Sequence, residues 1–198
     1  MIVSRETKDR LTIYGDLLGR WNSKINLVSP ATLPYLQERH FDDCLQVSEI
    51  AGGTTGLWVD LGSGGGLPGL VLAISNSDTD MKFKLVESDK RKAAFLRTVV
   101  RETSLTNVTI VNERIEALSP QNAAYVSARA LAPLRQLMAY LALHLAPSGR
   151  AFLMKGVLWR QEVQDARKNW NFDYIAHPSR TEAGAAILEV TGVRHGGA

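Results

Sequence analysis

Apolar and polar residues follow two different periods along this chain, and the change falls near residue 57. In the first segment Leu11, Tyr14, Leu17, Leu18, Trp21 and Ile25 recur at three- and four-residue spacing, which predicts an amphipathic helix. Pro30 and Pro34 punctuate it, a second helical stretch is expected at about 37–50, and the Gly/Thr cluster at 52–56 reads as a loop. From Leu57 onward short apolar runs alternate with helical patterns. The runs predict strands at 57–61, 82–87, 108–112, 124–128 and 150–154. Helices are expected at 67–75 and 89–103, along the face Leu134, Leu137, Met138, Leu141 and Leu145, and at about 160–169.

Such alternation predicts an α/β fold, a doubly wound and mostly parallel sheet covered on both faces. Two closing strands, at 172–176 and 186–191, have only a loop between them. They should pair as a hairpin, which makes the last of seven strands antiparallel. Residues 1–56 are expected to be a helical extension packed on a single compact unit, 57–198.

The 198 residues suffice for one sizeable domain and not for two. No apolar run reaches membrane-spanning length, the N-terminus has no secretory pattern, and the one cysteine, Cys44, can form neither an internal disulfide nor a cysteine metal cluster. A cytoplasmic, monomeric protein is the expectation. The net charge is only +3, which permits a nucleic-acid partner without requiring one. Distribution is more informative. Basic residues gather at Lys90, Arg91, Lys92, Arg97 and Arg101, and again at Lys155, Arg160, Arg167 and Lys168.

The densest chemistry is the stretch 60–69, Asp-Leu-Gly-Ser-Gly-Gly-Gly-Leu-Pro-Gly. Glycines directly after a buried strand let the backbone turn tightly and approach a ligand. Gly64, Gly66 and Gly69 fit the dinucleotide spacing, so a nicotinamide cofactor has to be weighed. Two features oppose it. The match begins several residues past the strand end, and Asp60 would face a pyrophosphate unfavourably. S-adenosylmethionine carries no phosphate and has cationic amino and sulfonium groups, so an acid beside the loop suits it. Glu87 ends the second strand where an acid can accept from both ribose hydroxyls. A carboxylate favoured by a helix dipole is the competing reading there. Ile115 and Glu116, after the third strand, offer an apolar face and a polar edge for adenine.

These residues resemble the ribosomal RNA small-subunit methyltransferase G family, also called glucose-inhibited division protein B. The glycine loop resembles that family's cofactor loop, and further stretches agree in order. They are Trp21-Asn22 with Asn26-Leu27, Arg39-His40 with Asp43 and Leu45, Val86-Glu87-Ser88 with Arg91-Lys92 and Phe95-Leu96, Arg129-Ala130 with 132–134, and Lys155-Gly156. Departures are Cys44 in place of serine, Val28 in place of threonine, and Gly184-Ala185-Ala186 where the family tends to carry an arginine, here only Arg180 upstream. The resemblance implies a class I, Rossmann-like methyltransferase that moves a methyl group from S-adenosylmethionine to N7 of one guanosine in 16S ribosomal RNA, within the small subunit or an assembly intermediate. By matching positions the cofactor would touch Gly62, Leu67, Ile115, Glu116 and Arg129. Asp60, Ser63, Gly64, Gly66, Glu87 and Ser88 complete the candidate cofactor set.

The residues agree with that chemistry by what is absent. Guanine N7 has a free lone pair, so alignment suffices and no strong base is needed. The place after the fourth strand reads Ser127-Ala128-Arg129-Ala130, not the Asn/Asp-Pro-Pro-aromatic loop used on exocyclic amines, and Cys44 reads as a buried structural thiol. Arg129 is a candidate orienting residue, with a structural ion pair as the competing reading. Candidate RNA contacts are Arg39, His40, Lys90, Arg91, Lys92, Arg97, Arg101 and Lys155. Each has a bland counterpart: a structural cluster for Arg39, His40 and Asp43, a solvated helix face for the lysine–arginine stripe. No metal site is expected, since the histidines lack ligand spacing. A methyltransferase acting on a small molecule or a protein, a nicotinamide oxidoreductase, and a cofactor-binding regulator without turnover stay open on the residues alone.

Overall fold

The computed structural model describes residues 4–196. Helix α1 (Arg5–Asn22) is followed by a 3-10 turn (Pro30–Tyr35), a π-helical turn (Gln37–Phe41) and α2 (Asp42–Ala51). Then come β1 (Thr55–Leu61), α3 (Gly69–Ser75), β2 (Asp80–Val86), α4 (Lys90–Glu102), β3 (Val108–Val111) and a short 3-10 turn (Ile115–Ala117). The chain closes with β4 (Ala123–Arg129), α5 (Leu134–His144), β5 (Leu145–Lys155), α6 (Trp159–Arg167), β6 (Trp170–Pro178) and β7 (Ala186–His195). One seven-stranded sheet has the order β3-β2-β1-β4-β5-β7-β6. β7 pairs antiparallel with both neighbours, and every other pairing is parallel. The expected sheet is therefore the observed one. Strand order reverses between β1 and β4, and ligand crevices open beyond the strand ends at such a reversal.

Both faces of the sheet are buried at its centre, which explains the apolar runs of β1, β4 and β5. On one face Trp58, Phe83 and Phe152 pack with Tyr14, Leu18 and Phe95 from the helices of the N-terminal half. On the other Val59, Leu61, Val126 and Leu153 pack under Leu137, Leu141 and Val163 of α5 and α6. Trp58 lies stacked at 5.1 Å from Tyr125 and 5.5 Å from Phe152, and centres the first layer. Helix α1 carries the expected apolar face and is capped by Ser4, whose Oγ accepts from Thr7 N–H at 3.1 Å.

Three boundaries differ from expectation. Helix α3 begins at Gly69 rather than 67, because residues 62–68 are consumed by turns with positive φ at Gly62, Gly64 and Gly66. The second helical stretch opens as a π turn through Arg39 and His40 before becoming α-helical. β5 begins at Leu145, expected on the preceding helix. A register shift in β4 between Ala123 and Tyr125 lets the chain enter the sheet early.

Candidate functional site

The glycine loop is built on the tip of β1. Gly62 turns the chain at φ 65°, a conformation that strains any side chain, and a Cβ there would lie 2.4 Å from Leu131 Cδ1 and push that side chain aside. Ser63 N–H then donates to Val86 O at 3.0 Å, tying the loop to β2. The Tyr14 hydroxyl of α1 donates to Gly65 O at 2.5 Å. Asn22, at the end of the same helix, accepts from Leu27 N–H at 2.9 Å and Val28 N–H at 3.0 Å, and donates to Val28 O. These bonds set residues 27–29 along the rim of the crevice.

That crevice is a cleft of about 510 Å³ over the ends of β1, β2 and β4. Gly62, Ser63, Gly64 and Leu67 line one wall, and Glu87 and Ser88 mark the tip of β2. Glu87 Oε2 accepts from Gly64 N–H at 2.8 Å and Oε1 from Asp89 N–H at 2.7 Å. Asn112 secures the same tip by donating to Glu87 O at 2.8 Å. The far wall carries Ile115 and Glu116. His144 Nε2–H donates to Ile115 O at 3.0 Å, and the Tyr140 hydroxyl donates to Glu116 Oε1, holding that carboxyl below its usual range.

Asp60 is placed elsewhere. It is 1% exposed beneath the loop and does not line the cleft. Its Oδ1 accepts from Ser127 Oγ at 2.6 Å, and Ser127 in turn accepts from Trp58 Nε1 at 2.9 Å. Its Oδ2 is buried with no hydrogen-bond partner among the described residues. Burial pushes the carboxyl up to about 6. The expected contact with a cationic cofactor group gives way to a support role, because strand alternation turns Asp60 toward α3. There Gly69 packs so closely that a Cβ would sit 2.6 Å from Oδ2. Gly66 likewise faces inward, toward Leu70 and Tyr14, and not the cleft.

Opposite the loop stands Arg129, at the end of β4. Its Nη1 donates to Cys44 Sγ at 3.7 Å, and its Nη2 to Arg39 O at 3.2 Å, with Asp43 Oδ2 at 3.8 Å. The π turn thus presents the Arg39 carbonyl, while Asp43 Oδ1 accepts from the hydroxyls of Ser179 at 3.1 Å and Thr181 at 2.9 Å. Cys44 is the buried thiol expected, pushed up to about 12 by burial. His40 lines the cleft beside Arg129. Thr32 gives its hydroxyl hydrogen to Ser29 O at 2.8 Å, so it accepts from His40 Nε2–H, also at 2.8 Å. Burial, reinforced by the Arg129 charge, brings this imidazole down to about 4, so it is neutral at physiological pH.

The structure thus brings Gly62, Ser63, Gly64, Leu67, Glu87, Ser88, Ile115, Glu116 and Arg129 to one cleft, joined by His40 and Lys92. The other basic candidates scatter. Lys90, Arg91, Arg97 and Arg101 are exposed on α4; Arg91 pairs with Asp89 and Arg101 with Glu102. Arg39 reaches the C-terminal loop, donating to Thr181 O and pairing with Glu182 at 3.6 Å. Lys155 is not a surface cation: its side chain is 10% exposed and lies 2.6 Å from Glu162 Oε2. Arg180 pairs with Glu49 on α2 and lines neither the cleft nor the neighbouring cavity. Sequence reasoning missed Leu27, Val28, Tyr140 and Leu131. A hydroxyl on the apolar face of α5 was the signal available for Tyr140.

A family model described as rRNA small subunit methyltransferase G matches residues 7–190. The chain belongs to that family. The ribosomal RNA small subunit methyltransferase G of Paracoccus denitrificans (strain Pd 1222) is 53% identical over 195 residues, covering 98% of this chain and 100% of that protein. Its counterpart in Ruegeria pomeroyi is 48% identical over 193 residues, 96% of this chain and 94% of that one. Among solved structures, an S-adenosylmethionine-dependent methyltransferase from Aquifex aeolicus superposes with a TM-score of 0.60 at 11% identity, over 89% of this chain and 97% of that chain. A putative S-adenosylmethionine-dependent methyltransferase from Methanococcus maripaludis gives 0.60 at 11% identity, over 96% and 95%. These likenesses establish the class I methyltransferase fold that this family uses. Among the described residues no helix is long and apolar enough to cross a membrane, and no metal-ligating group of three or more His, Cys, Asp or Glu comes together.

Proposed function

We propose that this protein transfers the methyl group of S-adenosylmethionine to N7 of one guanosine in 16S ribosomal RNA, presented in the small subunit or an assembly intermediate. The observation that carries the reading is the cleft itself: a side-chain-free turn at Gly62, a carboxylate at the β2 tip and an apolar ledge at Ile115 face one space of about 510 Å³. That volume is in the range of small-molecule sites.

The residues fit the cofactor in kind. Each oxygen of Glu87 accepts one backbone N–H and keeps a lone pair for a ribose hydroxyl. Ile115 offers an apolar face to adenine, and Glu116 with Tyr140 a polar edge. When bound, the cofactor supplies an electrophilic methyl group on a sulfonium. The protein's part is alignment and exclusion of water, since attack by N7 moves no proton and needs no base. Neutral His40 adds no positive charge beside a sulfonium, and Arg129, tied by three partners, serves as a positioning residue. Lys90 and Arg97, exposed on α4 and with no partner among the described residues, are cations available to RNA phosphates. In this reading residues 1–56 are an extension of the unit 57–198, which Tyr14 and Asn22 support by bracing the loop and the rim.

The test is incubation with radiolabelled S-adenosylmethionine and small subunits lacking the modification, followed by nucleoside analysis. Labelled 7-methylguanosine is expected. Unlabelled RNA from a preparation that binds S-adenosylhomocysteine would overturn the RNA reading in favour of a small-molecule or protein substrate, or of a regulator.

A further inference from the structure

A second cavity, of about 390 Å³, shares Arg129 and Ala130 with the cofactor cleft. It opens at the C-terminal end of β5, where Met154 and Lys155 meet Glu162 of α6, and it is closed by Asp43 and the chain from Ser179 to Ile187. We propose that this cavity receives the acceptor guanine, unstacked from the RNA, and that Glu162 reads its Watson–Crick edge. The proposal rests on the guanine-N7 reading above and adds to it a place for the base and a specificity-determining residue.

Position is the first argument. In-line transfer requires the acceptor atom about 3–3.5 Å from the donor methyl, so a base pocket has to adjoin the cofactor cleft. This cavity does so through the end of β4. Ala130 takes φ 51° there, a left-handed conformation unusual for alanine, which turns the chain between the two spaces. An enzyme acting on one base takes that base out of its stack into a fitted pocket, and 390 Å³ is room for one.

The base's own chemistry then assigns the walls. Guanine N7 and O6 share an edge, so N7 directed through the shared wall puts O6 beside Arg129. A guanidinium only donates, which suits O6 and opposes the amino group that adenine would bring to that place. Arg129 is also held off N7. Cys44 takes one Nη1 hydrogen and Arg39 O and Asp43 take the Nη2 side, leaving Nε–H and a second Nη1 hydrogen. The opposite edge carries the N1–H and 2-amino donors and needs an acceptor. Glu162 Oε2 is fully used, by Leu134 N–H at 2.7 Å and Lys155 Nζ at 2.6 Å, whereas Oε1 has no partner among the described residues. Lys155 holds that carboxylate in place and is itself anchored, donating to Ala132 O at 3.1 Å. Met154 and Ile187 give apolar walls for the ring faces.

Two variants test this, each assayed for S-adenosylhomocysteine affinity, subunit binding and single-turnover methylation. Ala185→Leu fills the cavity from an edge residue that does not line the cofactor cleft. It should leave both affinities within about twofold and slow methylation by roughly a hundredfold or more. Glu162→Gln is compared on subunits carrying guanosine or inosine at the target position, inosine lacking the 2-amino group. Wild type should methylate inosine on the order of tenfold more slowly. Glu162→Gln should slow guanosine by a clearly larger factor than inosine, because inosine keeps the N1–H that Glu162 accepts from and lacks only the 2-amino donor. An equal fold loss on both bases would mark Glu162 as merely structural and overturn its role, and unchanged turnover in Ala185→Leu would overturn the pocket. If wild type makes no 7-methylguanosine at all, the guanine-N7 reading falls and this proposal falls with it.

Discussion

On the loop side of the cleft, Gly62, Gly64 and Glu87 come from two adjacent strand tips and are locked by backbone N–H donors, Ser63 to Val86 O and Gly64 to the Glu87 carboxylate. On the opposite side a single guanidinium gathers partners 85 and 90 residues away in sequence, from a segment that also grips the C-terminal loop. The first side is set by the sheet and needs few side chains. The second exists only once the π turn, β4 and the loop at 179–182 have docked. Damage on the loop side should therefore weaken the cofactor site directly, whereas damage on the Arg129 side should loosen a strap between distant parts of the chain.

Glu87→Ala gives the sharpest contrast. It leaves Gly64 N–H and Asp89 N–H without their charged acceptor, at a combined cost of about 3–5 kcal/mol. S-adenosylhomocysteine affinity by calorimetry should fall by roughly a hundredfold or more. Unchanged affinity would remove Glu87 from the cofactor site.

The two sides should also titrate in opposite senses. Asp60, under the loop, has its folded carboxyl raised from 3.8 to about 6. Between those values the folded state holds more protons than the unfolded, so this group's contribution to stability falls as pH rises, by about 3 kcal/mol in all. His40, on the Arg129 side, is lowered from 6.5 to about 4, so its contribution rises with pH across that window. In urea unfolding from pH 4 to 7, Asp60→Asn should gain on wild type as pH rises, and His40→Gln should lose. Parallel trends in the two variants would refute the assignment of opposed buried groups.

A smaller effect is expected of Arg129→Lys. An ammonium cannot serve Cys44, the Arg39 carbonyl and Asp43 at once, so about 1–2 kcal/mol should be lost. Hydrogen exchange should speed up in residues 37–46 and 179–182 but not in the glycine loop. Uniform exchange across both sides would erase the distinction between them.

The loop side was largely legible beforehand. Strand tips follow from apolar runs, and a glycine cluster after a buried strand has few physical uses, so Gly62, Glu87 and Ile115 fell where expected. Asp60 did not, because the spacing places it at the strand end but not on a face; alternation from Trp58 turned it under α3. The Arg39, His40 and Asp43 motif was visible as a cluster, yet whether it faced RNA, metal or core was open. Only packing showed it buttressing Arg129.

Sequence by itself thus determined the seven strands, the antiparallel last strand and the glycine loop, since each depends on period, turn chemistry and connection length within a few neighbouring residues. Tertiary structure alone decided that Lys155 is neutralised by Glu162, that Tyr14 and Asn22 of the first helix brace the cleft, and that a second cavity lies behind Arg129. Those arrangements join residues tens of positions apart, and no local period records which of them will meet.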